Sequence, residues 1–185
     1  MNPGKRFEQD FKNSIPDNIL LYRLHDSAQA FGITEGLRFS SKNPFDFLMF
    51  DCDNRNLYAL ELKTIIGKSI SFERSKDDHG IIHYHQIIGL NNWSKYPGVI
   101  CGLIIEFRSI DKVIFLSIAE FNKLISNINK KSFSFSDLEK YNIGYIAIRS
   151  KKLRTHYRYD LGLFIEETKS ISQWYRRIIW KRIWL

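Results

Sequence analysis

Two apolar runs, Phe45-Asp46-Phe47-Leu48-Met49-Phe50 and Leu57-Tyr58-Ala59-Leu60-Glu61-Leu62-Lys63, flank Asp51-Cys52-Asp53-Asn54-Arg55-Asn56, where turn formers cluster. No other stretch constrains the fold as tightly, because the pattern predicts a β-hairpin. In the second run Tyr58, Leu60 and Leu62 alternate with Ala59, Glu61 and Lys63. Side chains two apart on a strand share a face, so Glu61 and Lys63 point the same way. Asp46 begins the first strand or ends the loop before it, and a hairpin of this length brings it close to both.

Around the hairpin the periodicities alternate between helix and strand. Phe7 and Phe11 stand one turn apart in a helix expected over 4–14, which Pro16 stops. A strand is expected at 19–24 and a polar loop over 25–43. Ile82, Gln86, Leu90 and Trp93 recur at helical spacing, which predicts a helix over 81–93. Strands follow at 99–107 and 112–118 and a helix at 119–128. Ser136-Asp137-Leu138-Glu139 has a capping-box pattern for a short helical turn, and a late strand is expected at 145–148. The fold class is therefore α/β (α+β mixed sheet), with one domain over 1–168 and a basic amphipathic tail over 169–185.

Charge narrows the class of partner. Lys and Arg number 28 against 20 Asp and Glu, a formal net charge of +8, which suits a polyanion or an anionic surface. The two cysteines, Cys52 and Cys101, exclude a disulfide scaffold and a cysteine zinc site, and are expected to be buried free thiols in a reducing compartment. The N-terminus has no apolar stretch for a signal peptide and no run is long enough to span a membrane, so a cytoplasmic protein is expected.

Two carboxylates held together are costly unless a cation lies between them. Mg²⁺ is the natural choice, being hard and content with one or two carboxylates plus water, and Mn²⁺ is the alternative. Asp46 and Glu61 are the expected metal ligands, and the Leu62 carbonyl can add a third oxygen. Lys63 would orient or deprotonate a water and stabilise charge on a phosphate. That is the chemistry of metal-assisted phosphodiester hydrolysis. Read alone, Glu61-Leu62-Lys63 is equally a surface ion pair on a solvated strand. The spacing adds weight: Asn43-Pro44-Phe45-Asp46, then 14 residues, then Glu61-Leu62-Lys63.

That spacing resembles the PD-(D/E)xK nuclease signature. With Glu8 in Asn2-x-Gly4-x-x-Phe7-Glu8, Gln86 in His85-Gln86-Ile87 and the strand Cys101 to Phe107, the chain resembles the RecU family of Holliday junction resolvases from about Asn2 to Phe164. The stretch from Arg149 to Asp160 also looks like that family's C-terminal end. The resemblance implies a restriction-endonuclease-like core with flanking helices. It implies a Mg²⁺-dependent homodimeric endonuclease of bacterial or phage origin that makes paired cuts in a four-way DNA junction. On that basis Asp46 and Glu61 bind metal and Lys63 is the catalytic lysine. Gln86 positions water or the metal shell, and Glu8 supports the site. The chain departs from the family with Pro44-Phe45-Asp46 in place of a Thr-Thr-Asp, and with only His25 to Lys42 where a protruding stalk belongs.

Arg149, Lys151, Lys152, Arg154, His156 and Arg158 form a run without an acid and are expected to contact phosphate, with Arg38, Lys42 and Lys68 extending the track. Arg23 is a further candidate for it. His79, His83 and His85 are close in sequence, but a helix puts His83 and His85 on different faces, so polar surface or phosphate contact is favoured over a metal site. Trp93 is expected in core or interface. The tail spaces Trp174, Ile178 and Ile179/Ile183 helically among basic residues, and packing on the body or a dimer mate is favoured over membrane contact. Two other functions fit parts of the sequence: a restriction or repair endonuclease on the same core, and a non-catalytic DNA-binding module.

Overall fold

The computed structural model describes residues 2–24 and 42–169. Helix α1 (Pro3–Lys12) begins where Asn2 accepts the Gly4 N–H and Pro3 takes a first-turn position that has no use for an N–H. β1 (Ile19–Arg23), β2 (Phe47–Asp51), β3 (Asn56–Ile65) and β4 (Ser69–Ser71) follow, then α2 (Tyr84–Trp93), β5 (Val99–Phe107) and β6 (Lys112–Ser117). Next come α3 (Ile118–Asn127), β7 (Ser132–Ser134), α4 (Phe135–Lys140) and β8 (Ile146–Ile148). A hairpin of β9 (Ser150–Lys152) and β10 (Tyr157–Tyr159) leads into helical turns over 161–169.

Six strands form one sheet in the order β1-β2-β3-β5-β6-β8. β3 and β5 run parallel and the other neighbours antiparallel, so the sheet is mixed, as expected from the sequence. Parallel neighbours need a crossover, and the segment between β3 and β5 carries α2 onto one face. Ala59, Leu103, Ile105 and Leu116 bury there beneath Ile87 and Leu90 of α2 and Phe121 and Leu124 of α3. On the other face Tyr58, Leu60, Leu62 and Ile104 bury beneath Phe7 and Phe11 of α1 and Leu161 and Phe164. β3 is therefore covered on both sides, and even its polar Glu61 is only 1% exposed.

Several local expectations shift. Helix α2 starts at residue 84, because Ile82 forms a parallel bridge with Phe72 and His83 is the extended N-cap. The capping box of α4 pairs Ser134 with Asp137, two residues before the expected one: the Ser134 N–H donates to Asp137 Oδ2 at 2.7 Å. Cys101 is buried, with its thiol pushed up to about 12 by burial, but Cys52 is exposed in the β2–β3 turn, contrary to expectation. The tail beyond residue 169 and the segment 25–41 lie outside the described residues. Among the described residues no helix is long and apolar enough to cross a membrane.

Candidate active site

The β2–β3 register fixes the site. Phe47 pairs with Leu60 at the mouth of the hairpin, and one step earlier the Asp46 N–H donates to the Leu60 carbonyl at 3.1 Å. Beyond β2, no described strand pairs with this edge of β3, and the Leu62 N–H donates instead to Asp46 Oδ2 at 2.9 Å. A strand residue presents N–H and C=O to the same side, so the Leu62 carbonyl also faces the Asp46 edge. The Leu24 N–H reaches the Asp46 carbonyl at 2.8 Å and ties β1 to the same corner.

Glu61 and Lys63 lie on the α2 side of β3, with Lys63 Nζ 2.8 Å from Glu61 Oε1. Gln86, in the first turn of α2, donates from Nε2 to the same Oε1 at 2.5 Å. Among the described residues no group donates to the buried Glu61 Oε2, and the Glu61 and Asp46 carboxyls are close enough to hydrogen-bond when one of them is protonated. This pair is no solvated surface bridge, because the Glu61 side chain is 1% exposed and Lys63 14%. Burial first, then the neighbouring Asp46 charge, pushes the Glu61 carboxyl up to about 8 against the pull of Lys63. Asp46 is also raised, chiefly by burial, with the Leu62 N–H and Lys63 pulling it down.

α2 holds both carboxylates. Gly89 lies so close to Pro44 that a Cβ would sit 2.5 Å from the proline Cβ and 2.9 Å from its Cα. Only glycine lets the helix lean on the loop that delivers Asp46. Trp93 packs edge-on against Phe45 with ring centroids 5.2 Å apart, a core role as expected. Glu8 of α1 accepts from Arg23 Nε at 2.8 Å, and both charges act on Asp46. Asp46, Glu61, Leu62, Lys63, Gln86 and Glu8 thus converge on one corner.

The surrounding residues are placed less uniformly. His83 and His85 stack with centroids 5.5 Å apart, contrary to the expected separation, because His83 caps α2 from outside the helix. His79 is exposed. Lys42 is exposed, and with Lys63 it acts on His85, which burial first and then His83 and these cations lower. Lys68 is exposed in the bend over 66–68. A cleft of about 620 Å³ opens between that bend, Lys63 and the start of α1. Arg149, Lys151, Lys152 and Arg154 are exposed on or beside the β9–β10 hairpin, and Arg38 lies outside the described residues.

Among the described residues no cluster of three or more His, Cys, Asp or Glu side chains surrounds a common point. The donor set present is two carboxylates and a backbone carbonyl, all oxygen. It includes a buried carboxylate oxygen to which no described group donates, and which a cation can satisfy. That set fits Mg²⁺, which keeps most of its waters, and fits zinc poorly. Sequence reasoning missed Glu73. It is buried beside the start of α2 and bonds mostly main-chain N–H groups, which leave no signature in side-chain spacing.

No family model matches the chain. Over 173 aligned residues, 87% of this chain and 84% of the relative, it is 32% identical to the SPbeta prophage-derived uncharacterized protein YotM of Bacillus subtilis (strain 168). The chain belongs to the family of that prophage-derived protein. Among solved structures it is similar to Hjc, a Holliday junction resolvase of the archaeal hyperthermophile Archaeoglobus fulgidus. That likeness covers 74% of this chain and 93% of Hjc, at 13% identity and a TM-score of 0.46.

Proposed function

We propose that the protein is a Mg²⁺-dependent DNA endonuclease acting as a homodimer on four-way junctions. The observation that carries this is Glu61: a fully buried carboxylate beside Asp46, with one oxygen accepting from Gln86 and Lys63 and no described group donating to the other, on the strand that also presents Lys63. Asp46, Glu61 and the Leu62 carbonyl would hold the metal. A bound Mg²⁺ supplies a Lewis acid at the phosphate and a water of lowered pKa.

The remaining work falls to the chain itself. Lys63 lines the cleft with its ammonium fixed on Glu61, where it stabilises negative charge on an entering phosphate. Gln86 donates to Glu61 and limits how the carboxylate can rotate. Glu8 and Arg23 brace Asp46 from the α1 side.

DNA would be held by the basic hairpin. Lys63, Ile105, Ile114 and Ala147 form one row across the sheet, and β9 begins three residues beyond Ala147. Three strand spacings put that row's far end about 14 Å from Lys63, and from there the chain turns to α1, where the Tyr157 N–H donates to Asp10. Lys151 and Arg158 stand directly opposite each other in β9 and β10. Like charges in register disfavour the free hairpin, and a phosphate relieves them. Two symmetric cuts in a junction require two such sites about a two-fold axis.

The test is a labelled four-way junction and a matched linear duplex, each with and without Mg²⁺. Paired nicks near the branch point that need Mg²⁺ are expected. Equal cutting of the linear duplex moves the assignment to a restriction or repair enzyme, and binding without cutting in Mg²⁺ or Mn²⁺ moves it to a DNA-binding module.

A further inference from the structure

We infer that Glu73 and His83 are positioning residues that fix the polarity of the Gln86 amide and thereby reserve one oxygen of Glu61 for a cation. A side-chain amide can point either end toward a neighbour. Here the His83 backbone N–H lies 2.9 Å from Gln86 Oε1, and a main-chain N–H can only donate. The oxygen of Gln86 must therefore face His83 and its NH₂ must face Glu61. Glu61 Oε1 then accepts from Gln86 at 2.5 Å and from Lys63 at 2.8 Å, while no described group donates to Oε2.

Glu73 holds His83 where this works. It lies just after β4, 8% exposed, and spends both oxygens on the start of α2. Oε1 contacts His83 Nδ1 at 2.8 Å and accepts the Gly80 N–H at 3.2 Å, and Oε2 accepts the Tyr84 N–H at 2.7 Å. Gly80 is required there, since a Cβ would sit 2.7 Å from the backbone of Phe72. The chain of contacts from Glu73 through His83 and Gln86 to Glu61 is continuous, and it connects a residue outside the catalytic motif to the oxygen the motif leaves open. Second-tier groups of this kind, which orient a ligand without touching the metal, typically alter metal affinity by about 10–100-fold.

The cation in this inference rests on the proposed function, but the amide polarity does not, and the test separates them. His83→Pro removes the backbone donor at a residue whose φ of −81° proline can adopt, whereas His83→Asn keeps that N–H and a side-chain donor for Glu73. Glu73→Ala and Glu73→Gln probe the anchor from the other end, the glutamine guarding against a fold too weak to assay. The measurements are the Gln86 side-chain amide resonances of the metal-free protein, Mg²⁺ affinity by calorimetry, and kcat and KM on DNA. We expect His83→Pro and Glu73→Ala to move the Gln86 resonances. Both should weaken Mg²⁺ binding by roughly 10–100-fold and lower kcat at unchanged KM, with His83→Asn close to wild type. Unmoved Gln86 resonances in folded His83→Pro and Glu73→Gln would overturn the inference. Moved resonances in a protein that neither binds Mg²⁺ nor cuts DNA would uphold the amide polarity and overturn the nuclease reading instead.

Discussion

Gln86 donates its side-chain NH₂ to Glu61 Oε1 from 25 residues further along the chain, across the interface of α2 and the sheet. With Lys63 on the same oxygen, the carboxylate of Glu61 is asymmetric: one oxygen accepts twice, and among the described residues no group donates to the other. Ionising a carboxyl buried in this way costs free energy in the metal-free fold, and that cost makes the site measurable without substrate.

The first consequence is a pH dependence of stability. Glu61 is raised to about 8 by burial and by Asp46, from an ordinary 4.5. Between those values the native state holds a proton that the unfolded chain has released, so the contribution of Glu61 to metal-free stability is greatest at low pH and falls as pH rises toward 8. One proton limits the slope to about 1.4 kcal/mol per pH unit. Melts in EDTA should show this decline, Glu61→Gln should flatten it, and stabilisation by Mg²⁺ should grow as pH rises. A wild-type slope unchanged by Glu61→Gln would contradict this reading of the carboxyl.

Lys63→Met keeps the length of the stem and removes the charge. Loss of one preorganised charge-stabilising group typically costs 10²–10³ in rate, so kcat should fall by about that factor while junction affinity changes only a few-fold. Quench-flow cleavage beside a gel-shift titration reads both; a parallel loss of binding and rate would make Lys63 a DNA contact only.

At the Gly89–Pro44 contact, an alanine gains helix propensity of about 1 kcal/mol and meets a backbone it cannot displace cheaply. We expect Gly89→Ala to cost about 1–2 kcal/mol net. The shift of Pro44 should also move Asp46, so activity should fall at temperatures where the variant is fully folded. Full activity there would mean that the loop before Asp46 is held independently of α2.

Removing Lys151 and Arg158 tests the hairpin. Each phosphate contact contributes close to one unit to the slope of log K against log salt. The double variant Lys151→Ala/Arg158→Ala should reduce that slope by about 2, equally on every DNA sequence. An unchanged slope would place the DNA elsewhere on the protein.

The hairpin carrying Asp46, Glu61 and Lys63 was legible because strand alternation and turn chemistry are local, and they fix register once the turn is placed. Burial was not legible. The alternation of 58, 60 and 62 with 59, 61 and 63 suggests one wet face, yet β5 and the two helical layers bury nearly all of β3. The start of α2 lies later than the helical period suggests, because Ile82 fits that period while pairing with Phe72 as a bridge. β9 and β10 were hidden because their residues read as a charge run, three residues each being too short for a visible period. Glu73 left no trace, since what it binds is mostly main chain.

The most direct measurement is strand cleavage of a labelled four-way junction by the wild type, Asp46→Asn and Glu61→Gln side by side, in Mg²⁺ and in EDTA. The wild type should nick the junction only in Mg²⁺, and both variants should bind it with little or no cutting. Cleavage by the wild type in EDTA, or wild-type rates from Glu61→Gln in Mg²⁺, would contradict a metal-dependent site built on these two carboxylates.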